Sequence, residues 1–187
     1  MNPYEIDFGD RLRGMTVTGT SPDGQIRATV SGDMRLELRL RPGAYDQADE
    51  RGLSRQLAGL GATTWVAWER ERREIYRRYQ GLSTEEAEAD RRTPRDSRYR
   101  LFEEGLRRLE CQALSPSEVL HVRTVGMTEW HVDIEPGTLR RLREPEFVQE
   151  VVSAFGGLIQ DRERRLTLLK AEHFDLGIPR SWLDRTR

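Results

Sequence analysis

"SPDGQIRATVSGDMRLELRLRPGAY", residues Ser21 to Tyr45, is the stretch on which the fold turns. Ile26, Ala28 and Val30 alternate with polar residues, as do Leu36, Leu38 and Leu40, which is the two-residue period of strands with one buried face. Ser21-Pro22-Asp23-Gly24 and Ser31-Gly32-Asp33 carry turn residues, and "MTVTGT" just upstream is a further β-rich run. The whole reads as a three-stranded antiparallel meander that ends at Pro42-Gly43. Placing Ala28 opposite Leu36 and Ile26 opposite Leu38 keeps apolar residues together, and sets Arg27 across from Glu37 as an ion pair on the solvent face.

The meander is written twice. Sliding the chain against itself by 94 positions brings Ser21-Pro22 onto Ser115-Pro116, Gly32 onto Gly126 and Pro42-Gly43 onto Pro136-Gly137 (115 − 21 = 94; 136 − 42 = 94). Phe8, Leu12 and Arg13 meet Phe102, Leu106 and Arg107 at the same offset, Glu50 meets Glu144, and Glu69-Arg70 meets Glu163-Arg164. A fixed period that nearly halves the chain is the mark of duplication. The apolar face of the second meander is then Leu120, Val122, Trp130, Val132 and Ile134, with His121 and His131 side by side where the first copy has its Arg-Glu pair. Two facing histidines could hold a metal or titrate together, but nothing else in the pattern completes such a site.

After each Pro-Gly comes a long helical segment, 47–80 and 144–174, with no proline beyond its first turn. Val148, Val152, Phe155, Ile159, Leu166 and Leu169 form a stripe at spacings of four and three, interrupted by Arg162. The matching stripe is Ser54, Ala58, Gly61, Trp65, Trp68, Arg72, Ile75 and Tyr79, so the two helices are expected to share a seam with Gly61 opposite the bulk of Phe155. The polar stretch 81–97 reads as a linker, within which Ser83 and Glu86 have the spacing of a helix-starting capping box. Tyr99, Phe102, Leu106 and Leu109 mark an amphipathic helix ahead of the second meander, and Trp182 and Leu183 near the end of the chain are expected to dock on the core. The fold class is therefore α+β: two α-β-β-β-α modules, 1–80 and 98–187, forming an intramolecular pseudo-dimer.

Composition narrows function only a little. Charged residues are 34% of 187, hydrophobic residues 36%, and the mean hydropathy is −0.76, which describes a folded chain with a heavily charged surface. With 31 basic and 32 acidic residues the formal charge is −1, so a nucleic-acid surface can arise only from local segregation of charge. Cys111 is the single cysteine, excluding an internal disulfide and a cysteine-based metal site, and no apolar run approaches the roughly 18 residues of a membrane span. No leader-like start is visible, and the expectation is a soluble, cytoplasmic protein without cofactor or metal. No phosphate-binding loop, dinucleotide fingerprint or Ser-His-Asp constellation is present, so an enzyme is not expected.

The order leading helix, meander, long closing helix, carried by Ser21 to Tyr45 with its strands, turn glycines and closing proline, resembles the YbaB/EbfC family of small bacterial nucleoid-associated proteins. The second copy follows by way of the repeat, with Glu118 where the first has Gly24. Family members are homodimers of tweezer-like shape that bind DNA with little sequence specificity. The resemblance thus implies two protomers fused in one chain, a nucleoid location, and DNA as partner. A protein-binding adaptor or chaperone serving a specialised secretion system is the alternative.

The residues most suggestive of DNA contact lie in "WERERREIYRRY" (Trp68 to Tyr79), where Arg70, Arg72, Arg73, Arg77 and Arg78 interleave with aromatics. "RERR" supplies Arg162, Arg164 and Arg165 in the other copy, and the outer face of the first sheet offers Arg27 and Arg39 beside Arg35 and Arg41. Glu69, Glu71 and Glu74 dilute the helical patch, whose spacing equally describes a solvated, ion-paired helix face.

Overall fold

A computed structural model describes residues 8–92 and 96–174, with only the backbone considered at 90–92. The elements run α1 (Phe8–Gly14), β1 (Thr16–Thr20), β2 (Ile26–Ser31), β3 (Leu36–Leu40), α2 (Glu50–Tyr79), α3 (Thr84–Arg92), α4 (Ser97–Arg107), β4 (Glu110–Leu114), β5 (Leu120–Val125), β6 (Glu129–Ile134), α5 (Thr138–Arg141) and α6 (Glu144–His173). Two antiparallel sheets result, ordered β1-β2-β3 and β4-β5-β6. The protein is α+β with a repeated sheet and helix layout: β1 and β4, β2 and β5, and α2 and α6 coincide at both ends after a shift of 94 (144 − 50 = 94). Trp182 and Leu183 lie outside the described residues.

The repeat extends to single hydrogen bonds. Ser21 is buried and its hydroxyl accepts the Ile26 amide at 2.9 Å, while the Ser115 hydroxyl accepts the Leu120 amide at 3.2 Å. Each turn is then tied to its helix, Asp23 N–H to the Gln56 side chain and Ser117 N–H to the Glu150 carboxylate. Glu118 stands at φ 58 where Gly24 stands at φ 72, so the second copy keeps a left-handed turn without the residue that adopts it freely. Ser83 and Glu86 exchange the two bonds of a capping box at the start of α3.

Two expectations are corrected. The first is register: Ile26 pairs with Leu40, Ala28 with Leu38 and Val30 with Leu36, so Arg27 faces Arg39 and Glu37 faces Thr29. Ser31 stays in the ladder through its bond to the Arg35 carbonyl, and the loop is Gly32-Asp33-Met34, closed by Met34 N–H to the Ser31 carbonyl. Moving a loop by one residue shifts pairing by two. Such a slip leaves both apolar faces in phase, so only turn geometry decides it. The same register governs the second sheet, where His121 faces Asp133 and His131 faces Arg123; the two histidines are not opposite each other.

The second correction concerns the helices. Trp65 and Ile159 of the anticipated stripes are buried, but the buried line of Leu53, Leu57, Leu60 and Thr64 in α2, and of Phe147, Val151, Ala154 and Leu158 in α6, runs one position before the stripe anticipated. These lines face sheets. α2 packs on β1 of its own sheet and on β6 of the other, and α6 packs on β4 and reaches β3. What fills the space beside Gly61 is Trp130 of β6 and not Phe155. The apolar residues of both halves make one core, crossed by the Tyr45 hydroxyl bonded to the Leu142 carbonyl at 3.0 Å and by the Glu50 carboxylate, which accepts the amides of Gly137 and Leu139.

Two glycines in helix interiors test this packing. A Cβ at Gly61 would lie 2.5 Å from the Trp130 ring, held by its own N–H bond to the Met127 carbonyl at 2.8 Å, whereas a Cβ at Gly156 meets nothing within 4 Å. Gly156→Ala is expected to stabilise the protein by about 1 kcal/mol through helix propensity. Gly61→Ala should destabilise it by about 1–3 kcal/mol by overpacking. Urea midpoints of the two variants must move in opposite directions; a shared sign would refute the seating of Trp130.

Candidate nucleic-acid interface

The distal half of α2 holds itself together by charge. Glu69 accepts Arg72 at 3.1 Å and Arg73 at 3.5 Å on one carboxylate oxygen, and Glu74 accepts Arg77 at 2.6 Å and Arg78 at 2.8 Å. These are three- and four-residue spacings, the neighbours on a helix surface. Arg77 also donates to the Leu82 carbonyl just past the helix end, and Phe8 of α1 packs against Tyr76 and Tyr79. Hydrogen bonds from Arg77 hold the Glu74 carboxyl at a pKa of about 2, against burial that raises it, with Arg78 adding to the effect. Of the five arginines between Trp68 and Tyr79, Arg70 alone makes no ion pair among the described residues, and it is exposed.

In α6 the arginines diverge. Asp161 is buried and accepts Arg164, Arg165 at 2.7 Å, and the Gln112 amide of β4 at 3.0 Å. Burial pushes its carboxyl up, but the Gln112 amide and the two guanidinium groups outweigh burial and hold it below the usual range. Arg164 and Arg165 therefore serve a helix-to-strand clamp, a role not anticipated from the sequence although the spacing of Asp161 to both arginines signals it. Arg162 turns elsewhere. Its guanidinium lies over the Trp65 ring at 4.7 Å, and it lines a cleft together with Arg72, Arg73 and Arg77, so four of the anticipated arginines do meet.

The outer face of the first sheet is different in kind. Arg27 and Arg39 are directly paired across β2 and β3 and both are exposed, with Thr20 opposite Arg27 on the other side. Arg39 lies 3.7 Å from Glu37, Arg35 pairs with Asp33 at 2.6 Å, and Arg27 and Arg41 have no carboxylate partner among the described residues. On the second sheet the equivalent positions are neutralised: Asp133 faces His121 and accepts Arg123 at 2.9 Å, and His121 lies 3.2 Å from the Gln112 side chain. The described residues contain no cluster of three or more metal-ligating side chains, and none of their helices is long and apolar enough to cross a membrane.

Compared with protein-family models, curated proteins and solved structures, the chain matches none.

The ion pairs on α2 fix a pH dependence. The pKa of Glu74 is depressed in the folded state, so its contribution is full above the ordinary value of 4.5 and fades as pH falls toward about 2. Hydrogen-exchange protection along residues 73–79 should fall over that window relative to the first turns of α2, and Glu74→Gln should flatten the change. Equal profiles for the two proteins would mean that the pairs do not hold this segment.

Proposed function

We propose that the chain is a YbaB/EbfC-like nucleoid-associated protein, two modules working as a pseudo-dimer within one polypeptide, that binds DNA through phosphate contacts with little sequence readout. The observation that carries this reading is the Arg27–Arg39 pair. Like charges directly opposite in a sheet cost stability, on the order of 0.2–1 kcal/mol, and among the described residues no carboxylate on Arg27 relieves this pair. A phosphate oxygen lying between the two guanidinium groups would relieve it, and the hydroxyls of Thr18 and Thr20 on the same exposed face can donate beside it. Guanidinium and hydroxyl groups that meet phosphates fix position on a duplex without reading bases. Arg70, exposed on α2 and without an ion pair among the described residues, extends the supply of free positive charge.

The pseudo-dimer rests on the exchange by which each helix covers a strand of the other half, as two protomers would. An adaptor role would call for an open apolar groove between the halves. The apolar cavity there, lined by Met34, Gly61, Trp68, Trp130 and Phe155 among others, has a volume of only about 60 Å³. The geometry favours a polyanion over an apolar segment as partner.

Titration of a short duplex at increasing salt should give a log–log slope that becomes shallower by about 2 in the Arg27→Ala/Arg39→Ala protein, roughly one unit for each phosphate no longer neutralised. Arg164→Ala/Arg165→Ala, which removes arginines held by Asp161, should leave affinity within about twofold. Salt-independent binding, or an unchanged slope in the Arg27/Arg39 variant, would defeat the proposal.

A further inference from the structure

The cleft between the halves holds a cation that none of the described residues answers. Its walls come from α2, α3, α4, the β5–β6 turn and α6, and its volume is about 710 Å³, within the range of small-molecule sites. Arg162 projects from α6 into it, half-buried. None of its guanidinium donors finds an acceptor among the described residues, and its Nε is fully enclosed. Among the described residues its close partner is the face of Trp65, which attracts the charge and offers no hydrogen bond. An enclosed donor without a partner is costly, and for a charged group the cost is greater still. Burial pushes the Arg162 pKa down, against the pull of nearby Glu69.

The surroundings define what would satisfy it. Arg72 and Arg73 face the same cleft and share one oxygen of Glu69, so both keep donors to offer. Counting formal charges on the lining together with Glu74, which holds Arg77, the arginines Arg72, Arg73, Arg77 and Arg162 against Glu69, Glu74 and Glu103 leave an excess of +1. A phosphomonoester near neutral pH carries about −1.5 to −2. The rest of the lining is apolar and aromatic: Leu82, Ala87, Leu106, Leu109 and the half-exposed ring of Tyr76. A charged end and a flat apolar body are therefore both required.

We infer that this cleft binds a phosphomonoester carried on a planar ring system, of the class of a nucleoside monophosphate, with the phosphate on Arg162, Arg72 and Arg73 and the ring beside Tyr76. Guanidinium groups match the oxygens of a phosphate in bidentate fashion, which an ammonium cannot do. The site stands apart from the Arg27–Arg39 face and does not depend on DNA binding there.

The test titrates the full chain with adenosine monophosphate, ribose 5-phosphate and inorganic phosphate by calorimetry, with Trp65 and Trp68 fluorescence as a second readout. Adenosine monophosphate should saturate at low millimolar concentration or below, roughly the −4 kcal/mol regime, and bind about tenfold or more tighter than inorganic phosphate. Arg162→Met should weaken it at least about tenfold, and Arg162→Lys should be less well tolerated than a simple charge count implies. Arg73→Gln, at an exposed position, should weaken it as well, and Tyr76→Ala should weaken the nucleotide and leave ribose 5-phosphate unchanged. Absence of saturation, inorganic phosphate binding as tightly as the nucleotide, or unaltered binding by Arg73→Gln and Arg162→Met would each overturn the assignment. Duplex binding by Arg162→Met, expected to be unchanged, separates this outcome from a failure of the DNA reading.

Discussion

Each three-stranded sheet has one apolar face, and in neither half does its own long helix cover that face alone. α2 leaves β1 to reach β6, and α6 leaves β4 to reach β3, so the apolar side of each meander is completed by the other copy. Three short strands and a helix are close to the lower limit of independent stability, because a small module buries too little of its surface on folding. Joining the two covers both at once. Phe147, Leu120, Leu158 and Ile26, all almost wholly buried, come from both halves and sit in one continuous core. The polar ties across that core, Tyr45 to Leu142 and Glu50 to the start of α5, fix how the halves are set against each other while the apolar contacts supply most of the energy.

Once the copies pack on each other, their equivalent positions no longer face equivalent surroundings, and the sequences have drifted to suit. Gly61 in α2 admits the Trp130 ring, where α6 has Phe155 at the same repeat position. Thr64, buried with no hydroxyl partner among the described residues, lies against Gly19, and the corresponding pair in the other copy is Leu158 with Ala113. Trp68 bonds to the Ser31 carbonyl, and its counterpart Arg162 opens onto the cleft. Backbone pairing is the same in both halves while side-chain chemistry differs, which is how one duplicated scaffold comes to hold a basic sheet face in one copy and a neutralised one in the other.

What could be read from the chain follows from which forces are local. Turn residues and two-residue alternation placed the first meander and, through the repeat, β5 and β6 of the second, because Ser21 and Ser115 act through bonds a few residues away. The capping box at Ser83 was legible for the same reason. Register was not, since a shift of two keeps Ile26, Ala28 and Val30 inward and the deciding fact is the left-handed Met34. Nor was the buried line of the helices, because Leu53 and Ser54, or Phe147 and Val148, sit on adjacent faces and only the partner sheet selects between them. The Asp161 clamp and the isolation of Arg162 depend on contacts between distant elements and had no local signature beyond a spacing.

Arginine count is a poor guide to anion binding in such a chain, and the reason is geometric. On α2 and α6 the carboxylates lie three or four residues from the arginines and engage them along the helix, so Arg78, Arg164 and Arg165 are bound to their own element before any ligand arrives. On a strand the same three- or four-residue spacing does not bring charges together, because the chain is extended and sequence neighbours point to opposite faces. Arg27 therefore meets what the adjacent strand presents, which is Arg39, and its alternate neighbours Gln25 and Thr29 carry no carboxylate. Arg162 escapes by another route: it stands where its repeat partner is Trp68, enclosed against Trp65 and out of bonding reach of Glu69. Free positive charge in this protein is thus set by element type and by the packing of one copy on the other, and composition, nearly balanced at −1, does not reveal it.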